Sequence, residues 1–282
     1  GMMFGGQVIG IALGTALTGY LISTVGFSIS IQVLALLISI VFTAVLIIRE
    51  RPNEKLLPWL PGEASEASKK LQVENLREIF TTVAKALLRV DSLKLIAVML
   101  LSSISYGLFT SVMPKMANEL AGWSTQEYSS LSGTGNLIAG FFCVFIFGIL
   151  ADRLGRKKII LSLLALQCLM IGIAMTFQDL WNTDGFITTA GVSVITLRYG
   201  IAVVVAAIAM SLCDLKVSAT QFTLYMACSN LGLSIAYALV GVLDEMDGYF
   251  ALLLAFAGVS VLALVMATTL NVGEETNYAN KS

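Results

Sequence analysis

Histidine is absent from this chain of 282 residues, and charged residues make up only 12% of it. Without histidine there is no imidazole to ligate a metal or to carry protons near neutral pH. Soluble proteins contain about twice this charged fraction. The formal net charge of −1 gives no electrostatic reason to expect a nucleic-acid partner. These absences argue against a water-soluble domain, a histidine metal site and a nucleic-acid-binding protein.

Cysteine is also scarce, and its placement suggests no disulfide framework. The four cysteines lie within or at the ends of apolar runs and show no pairing pattern, so we interpret them as reduced packing residues. A membrane enzyme would need clustered acids, histidines or a nucleophile with its base near the end of a span. The sequence offers none of these, and we predict no enzyme activity, no catalytic residue, no metal and no cofactor.

Hydrophobic residues make up 57% of the chain and gather in eight long stretches. A helix that crosses a bilayer needs about 20 mostly apolar residues, and backbone groups in lipid must find their hydrogen bonds within the helix. The sequence therefore predicts an all-α, polytopic membrane bundle of eight transmembrane helices. The predicted spans are roughly 3–24, 27–48, 93–113, 128–151, 159–177, 186–211, 219–243 and 249–270.

A long polar connection, residues 49–92, separates the second span from the third and holds three of the four prolines. Within it, the stretch from Glu74 to Val90 has apolar residues at helical spacing and a charged opposite face, which predicts an amphipathic helix. This helix either lies at the membrane surface or against the bundle, or is a plain linker helix. The apolar stripe comprises Leu76, Ile79, Phe80, Val83, Leu87 and Val90.

Basic residues are strongly asymmetric between alternate loops. With loop 49–94 in the cytoplasm, fifteen of the seventeen lysines and arginines fall on the cytoplasmic side, and seven acids fall on the opposite side. Cytoplasmic loops of membrane proteins carry such an excess of positive charge. The asymmetry predicts an integral membrane protein with both termini in the cytoplasm.

The loop after the fourth span carries a recognisable motif, which reads Gly148-Ile-Leu-Ala-Asp152-Arg153-Leu-Gly155-Arg156-Lys157-Lys158. It resembles the G-x-x-x-D-R-x-G-R-[KR] signature of the major facilitator superfamily, whose members are membrane transporters. The resemblance implies a gating motif, with Asp152 and Arg153 as a latch that forms in one conformation and breaks in another. The alternative is that the basic residues only anchor the cytoplasmic side. The gating residues would be Gly148, Asp152, Arg153, Gly155 and Arg156.

In that family the motif follows the second helix of each six-helix half, which places this copy in the C-terminal half. The resemblance then implies that residues 1–48 are helices five and six of the N-terminal half, and 49–92 the central cytoplasmic linker. Residues 93–270 would be the six-helix C-terminal half and 271–282 a cytoplasmic tail. Helices one to four of the family would be partners that lie elsewhere, in a longer protein or on another chain.

A finer resemblance covers Asp214 to Gly232. This stretch, with its A-T-Q-F and S-N-L-G elements, is similar to part of the AmpG-type muropeptide permeases and their acetyl-CoA-transporter relatives. It implies a bacterial inner (plasma) membrane and a solute that resembles a peptidoglycan fragment.

Arg198 is the candidate solute anchor, because a charge near the middle of the 186–211 span should face the bundle interior or a water-filled cavity. Its guanidinium suits a carboxylate or a phosphate; the alternative is a structural arginine bonded to carbonyls or to a neighbouring span. Other polar side chains in spans could bind a solute or hold helices together. The predicted substrate-binding residues are Arg198, Tyr106, Asn136, Gln221, Tyr225 and Lys115.

These observations predict a secondary transporter that moves a small solute across the lipid bilayer by alternating access. The solute is anionic in one interpretation, and a muropeptide, a sugar or another metabolite would fit. The alternative is a transport-inactive membrane sensor or scaffold with a transporter fold. The spans 159–177 and 249–270 contain few polar residues, and we predict that these two and the span 27–48 are peripheral and lipid-facing.

Overall fold

The computed structural model describes residues 2–47, 76–214 and 217–271, and all regular elements within them are helical. This confirms the predicted all-α fold. A π-helical turn at Cys143–Phe147 joins α5 to α6, and a 3-10 turn at Gln178–Leu180 precedes α8. The helices are α1 Met2–Val25, α2 Phe27–Ile47, α3 Leu76–Leu87, α4 Val90–Glu119, α5 Thr125–Phe142, α6 Gly148–Leu154, α7 Arg156–Thr176, α8 Asp184–Leu212 and α9 Ser218–Thr268.

Seven helical segments within the described residues are long and apolar enough to cross a membrane. They correspond to seven of the eight predicted spans. Helix α9 contributes two of them, Ser218–Met246 and Gly248–Thr268. The second begins at Gly248, whose φ of +52° interrupts the regular backbone. The first predicted span, roughly 3–24, forms the 24-residue helix α1 but is not among the seven found within the described residues, so a membrane crossing by α1 stays a prediction.

The chain divides into two compact units, Leu13–Thr81 and Gly1–Ala12 with Thr82–Ser282. In the first unit, α2 leaves most of its apolar side chains exposed, as a helix surrounded by lipid does. In the second unit, α4 packs most extensively against α9, and α8 packs against α4, α5 and α7. Helices α4 and α8 are therefore the central elements of the second unit.

Small residues allow α4 and α9 to approach closely. A β-carbon at Gly232 would lie 2.6 Å from the carbonyl oxygen of Leu100, and one at Gly107 would lie 2.5 Å from the β-carbon of Ala236. Neither space holds even a methyl group. Close backbone approach through small residues is the usual way in which helices pack in a membrane, where the hydrophobic effect gives little drive for association.

A layer of buried polar side chains divides the core of the second unit into two apolar clusters. The first cluster includes Leu95 and Met99 of α4, and the second includes Leu108 and Val112 of the same helix. Serines occupy the turns between these two groups. The layer comprises Ser102, Ser103 and Ser105 of α4, Gln167 of α7 and Ser260 of α9, all buried.

Two members of this layer, Gln167 and Ser260, lie in the spans 159–177 and 249–270, whose predicted peripheral, lipid-facing position stays a prediction. The amide nitrogen of Gln167 donates to the hydroxyls of Ser105 and Ser260, at 2.8 and 2.9 Å, and these two hydroxyls lie 2.7 Å apart. A single polar side chain in an apolar span turns toward whichever neighbour offers a hydrogen bond. Both spans therefore have one polar, inward face that their hydropathy conceals.

Helix α3 ends three residues before the predicted amphipathic helix does, and its packed face differs among the described side chains. Val83 is buried and Leu87 packs against the first cluster, whereas Phe80 and Val90 are 72% and 66% exposed. The chain leaves helical geometry at Arg89, with φ −61° and ψ 140°, so Val90 belongs to the next helix. The side chains of Leu76 and Ile79 and most of the linker lie outside the described part of the chain.

Candidate functional site

A cavity of about 470 Å³ lies among α4, α8, α9 and the start of α1 within the second unit. This volume is within the ordinary range of small-molecule sites. The cavity is lined by Gln7, Met99, Ser102, Tyr106, Arg198, Tyr199, Ile201, Ala202, Val205, Phe222, Met226, Ser229, Asn230 and Leu233. The prediction from sequence included Arg198 and Tyr106 among these residues.

Three polar residues of the cavity, Arg198, Ser102 and Tyr106, lie near mid-span. Arg198 is the central residue of α8, Asp184–Leu212. Ser102 and Tyr106 occupy the middle turns of α4, Val90–Glu119. A solute bound to these groups would therefore be about equally far from both ends of the helices that hold it, which is the position expected of a transport site.

The Arg198 guanidinium has one hydrogen-bond partner and one aromatic neighbour, and its charge is not paired within the described structure. Its Nη2 donates to the Ser103 hydroxyl at 3.3 Å, and its Cζ lies 5.2 Å from the centre of the Tyr106 ring. In the part of the chain that the structure describes, the recorded ion pair is Lys115–Asp244, and no carboxylate reaches Arg198. A charge at membrane depth is costly without an anion, so this guanidinium is suited to receive one.

Ser102 lines the same cavity and has an unusual hydroxyl. The side chain is 4% exposed, and its Oγ has no hydrogen-bond partner within the described structure. A buried hydroxyl without a partner costs about 1–3 kcal/mol. The predicted binding residues include Tyr106 on this helix but not Ser102, although the four-residue spacing places both on one face.

Gln221 and Tyr225, two predicted binding residues, lie outside the cavity lining and are fully buried. The Gln221 amide nitrogen donates to the Tyr225 hydroxyl at 2.8 Å, and this hydroxyl donates to Ser92 at 2.8 Å. The Gln221 oxygen accepts from the backbone nitrogen of Asp214, also at 2.8 Å. The network connects the start of α9 to the start of α4, and solute contact by these two residues stays a prediction.

Asn136 and Lys115 also lie outside the cavity lining. The Asn136 nitrogen donates to the Ser132 carbonyl at 2.8 Å, while its side-chain oxygen is buried without a partner in the described structure. The Lys115 ammonium donates to both oxygens of Asp244, at 2.6 and 2.7 Å, and stands 5.3 Å from the Tyr249 ring centre. The charge of Lys115 is thus neutralised near the end of α4.

The predicted gating motif forms α6 and the turn into α7. Gly155 separates the two helices with φ +92°, a backbone conformation that side chains with a β-carbon rarely adopt. Asp152 and Arg153 are exposed. Arg156 reaches across to α8, where its Nη1 donates to the Ala207 carbonyl at 3.1 Å. The motif therefore contacts the helix that carries the cavity arginine, and its latch role stays a prediction.

The described residues form no cluster of metal-ligating side chains. Across residues 2–47, 76–214 and 217–271, no three cysteine or carboxylate side chains meet in a group that could hold an ion. The cavity instead presents a cation, hydroxyls, two amides and apolar walls. This arrangement can bind a solute by charge, hydrogen bonds and apolar contact.

Comparison with known proteins gives the family. No curated protein and no solved structure matches the chain. The sequence model described as Major Facilitator Superfamily matches residues 1–212 and, in a second match, residues 95–282. Together the two matches span the whole chain and contain all seven candidate membrane helices. This chain belongs to the Major Facilitator Superfamily, and its helical bundle is that of an integral membrane transporter.

Proposed function

We propose that this protein is a secondary transporter that moves a small anionic solute by alternating access, with Arg198 as the binding group. The observation that supports this most strongly is a mid-span guanidinium that lines a cavity and meets no carboxylate in the described structure. An incoming anion would compensate this charge where water is scarce. Ser103 and Tyr106 would keep the guanidinium oriented while the solute binds and leaves.

Alternating access requires that the binding group couple to a part of the protein that changes conformation. The bond from Arg156 to Ala207 connects the motif loop to α8, the helix that carries Arg198. We propose that movement at the motif is transmitted along α8 to the cavity. Cytoplasmic termini and a bacterial inner membrane complete the proposal, and the mostly apolar cavity wall favours a less hydrophilic anion over the muropeptide that the AmpG-type resemblance implies.

The experiment is uptake into proteoliposomes that contain the protein in its complete natural length. The vesicles are exposed to a defined mixture of anionic, neutral and cationic metabolites, and their contents are measured by mass spectrometry. Arg198→Gln removes the charge, and Arg198→Lys retains it. Arg89→Gln is the matched control, because Arg89 is exposed and lies outside the cavity lining.

We expect uptake of one or more anions by the wild type and by Arg89→Gln, with a loss of at least about tenfold in Arg198→Gln, since charge-assisted hydrogen bonds are the strong ones. Uptake that survives Arg198→Gln unchanged would remove this residue from solute binding. If no solute enters the vesicles, the protein is better described as a transport-inactive sensor or scaffold.

A further inference from the structure

The side chains that line the cavity indicate the chemical class of its solute as well as the sign of its charge. We infer that its solute is an amphiphilic monocarboxylate, with an apolar body and a hydroxyl or carbonyl group that hydrogen-bonds to Ser102. This inference rests on the proposed function and names the substrate class of the same site. It is carried by the charge of the lining, the buried hydroxyl of Ser102 and the apolar wall.

The charge of the lining indicates a single negative charge. Arg198 is the one charged side chain among the described residues that line the cavity. A neutral solute would leave the guanidinium uncompensated, and a dianion would bring one charge without a partner into a poorly hydrated site. A phosphate monoester carries between one and two charges near neutral pH. A carboxylate matches the count and fits the planar fork of the guanidinium.

The contacts of Arg198 leave room for such a pair. One nitrogen, Nη2, donates to Ser103 over a long 3.3 Å, and the plane is adjacent to the Tyr106 ring. A guanidinium has five N–H donors. The ring and the serine therefore restrain the group and leave donors for two carboxylate oxygens.

Ser102 is an independent indication of a ligand. Its hydroxyl is buried, lines the cavity and has no partner within the described structure. It lies one helical turn from Tyr106 on α4, and Arg198 stands over the Tyr106 ring. A hydroxyl or carbonyl close to the carboxylate of the solute would supply the missing hydrogen bond.

The remaining wall is mostly apolar and disfavours a fully hydrophilic solute. The apolar side chains come from three helices, and any part of a charged or sugar-like body that lies against them would lose hydration without replacement bonds. An aromatic or branched aliphatic body would gain from burial there. The wall is formed by Met99, Ile201, Val205, Phe222, Met226 and Leu233.

The test uses a matched series of small probes on the purified protein in its complete natural length. Phenyllactate has the carboxylate, the apolar ring and the hydroxyl, and hydrocinnamate lacks only the hydroxyl. Hydrocinnamamide is neutral, phenylpropylamine is cationic, and succinate is a dianion without an apolar body. Dissociation constants are obtained from the dependence of the unfolding temperature on probe concentration.

We expect phenyllactate to bind best, hydrocinnamate to bind roughly fivefold more weakly for want of one hydrogen bond, and the other three at least about tenfold more weakly than hydrocinnamate. In Ser102→Ala the dissociation constants of phenyllactate and hydrocinnamate should become about equal. Ser111→Ala is the matched control, because its hydroxyl on the same helix already donates to the Gly107 carbonyl at 2.9 Å.

Arg198→Gln should abolish the preference for phenyllactate and hydrocinnamate over hydrocinnamamide. Arg198→Lys keeps the positive charge and should retain part of this preference, which provides the test if Arg198→Gln does not fold. The inference is overturned if the amide, the amine or succinate binds as tightly as phenyllactate and hydrocinnamate, or if neither of these two monocarboxylates stabilises the protein. If the vesicles still take up other solutes, the proposed transport function stands and only the substrate class is wrong. If the vesicles take up no solute, the proposed function itself is wrong.

Discussion

Gly232 of α9 lies so close to Leu100 of α4 that a β-carbon on the glycine would stand 2.6 Å from the leucine carbonyl oxygen. The obstacle is backbone, which cannot rotate away as a side chain could. Packing of the two most extensively paired helices therefore depends on a missing methyl group.

Gly232→Ala should destabilise the protein by about 1–3 kcal/mol, because an overpacked contact forces a backbone shift. The control is Gly241→Ala on the same helix, where an added β-carbon meets no atom within 4 Å. That variant should be unchanged or more stable, since alanine favours helix by about 1 kcal/mol over glycine. Thermal unfolding in one detergent measures both, and equal stability of the two variants would contradict the packing explanation.

The Tyr225 hydroxyl has a structural role that Tyr225→Phe should reveal. The variant removes the group between Gln221 and Ser92, with about 1–3 kcal/mol lost as their buried polar atoms lose a partner. Tyr237→Phe is the matched control, because Tyr237 is 55% exposed. Unfolding temperature is the readout, and solute uptake per folded molecule should stay unchanged. A selective loss of uptake in Tyr225→Phe would instead place this residue in the transport site.

The ion pair between Lys115 and Asp244 should contribute little stability. Each side chain is about a third exposed, at 34% and 35%, and exposed pairs contribute about 0–1 kcal/mol. A double-mutant cycle with Lys115→Met and Asp244→Asn isolates the coupling. We expect a coupling energy under about 1 kcal/mol that falls as salt is added. A larger, salt-insensitive coupling would show that the pair is shielded from solvent in the membrane-embedded protein.

Gly155→Ala should be destabilising through the backbone alone. The added β-carbon would meet no atom within 4 Å, but φ at this position is +92°. Such strain costs of order 1–3 kcal/mol. Gly185→Ala in the first turn of α8 is the control, because space there is also open and φ is not in the positive range. Equal unfolding temperatures for the two variants would show that the turn relaxes at no cost.

Much of the architecture follows from sequence, for a physical reason. A bilayer admits few backbone solutions, so long apolar stretches are helices. Seven of the predicted spans correspond to candidate membrane helices, and the break in α9 at Gly248 falls between the last two predicted spans. The motif from Gly148 to Lys158 also pointed to the family that the sequence model matches.

The direction in which each polar side chain points was decided only by the tertiary structure. Lipid is as apolar as a core, so hydropathy does not distinguish an inward face from an outward one. Gln167 turns inward because two serines on other helices meet it, and Gln221 is occupied by partners at the helix ends. Ser102 has no such partner and lines the cavity beside Arg198. These outcomes depend on residues far apart in the chain, which local spacing cannot bring together.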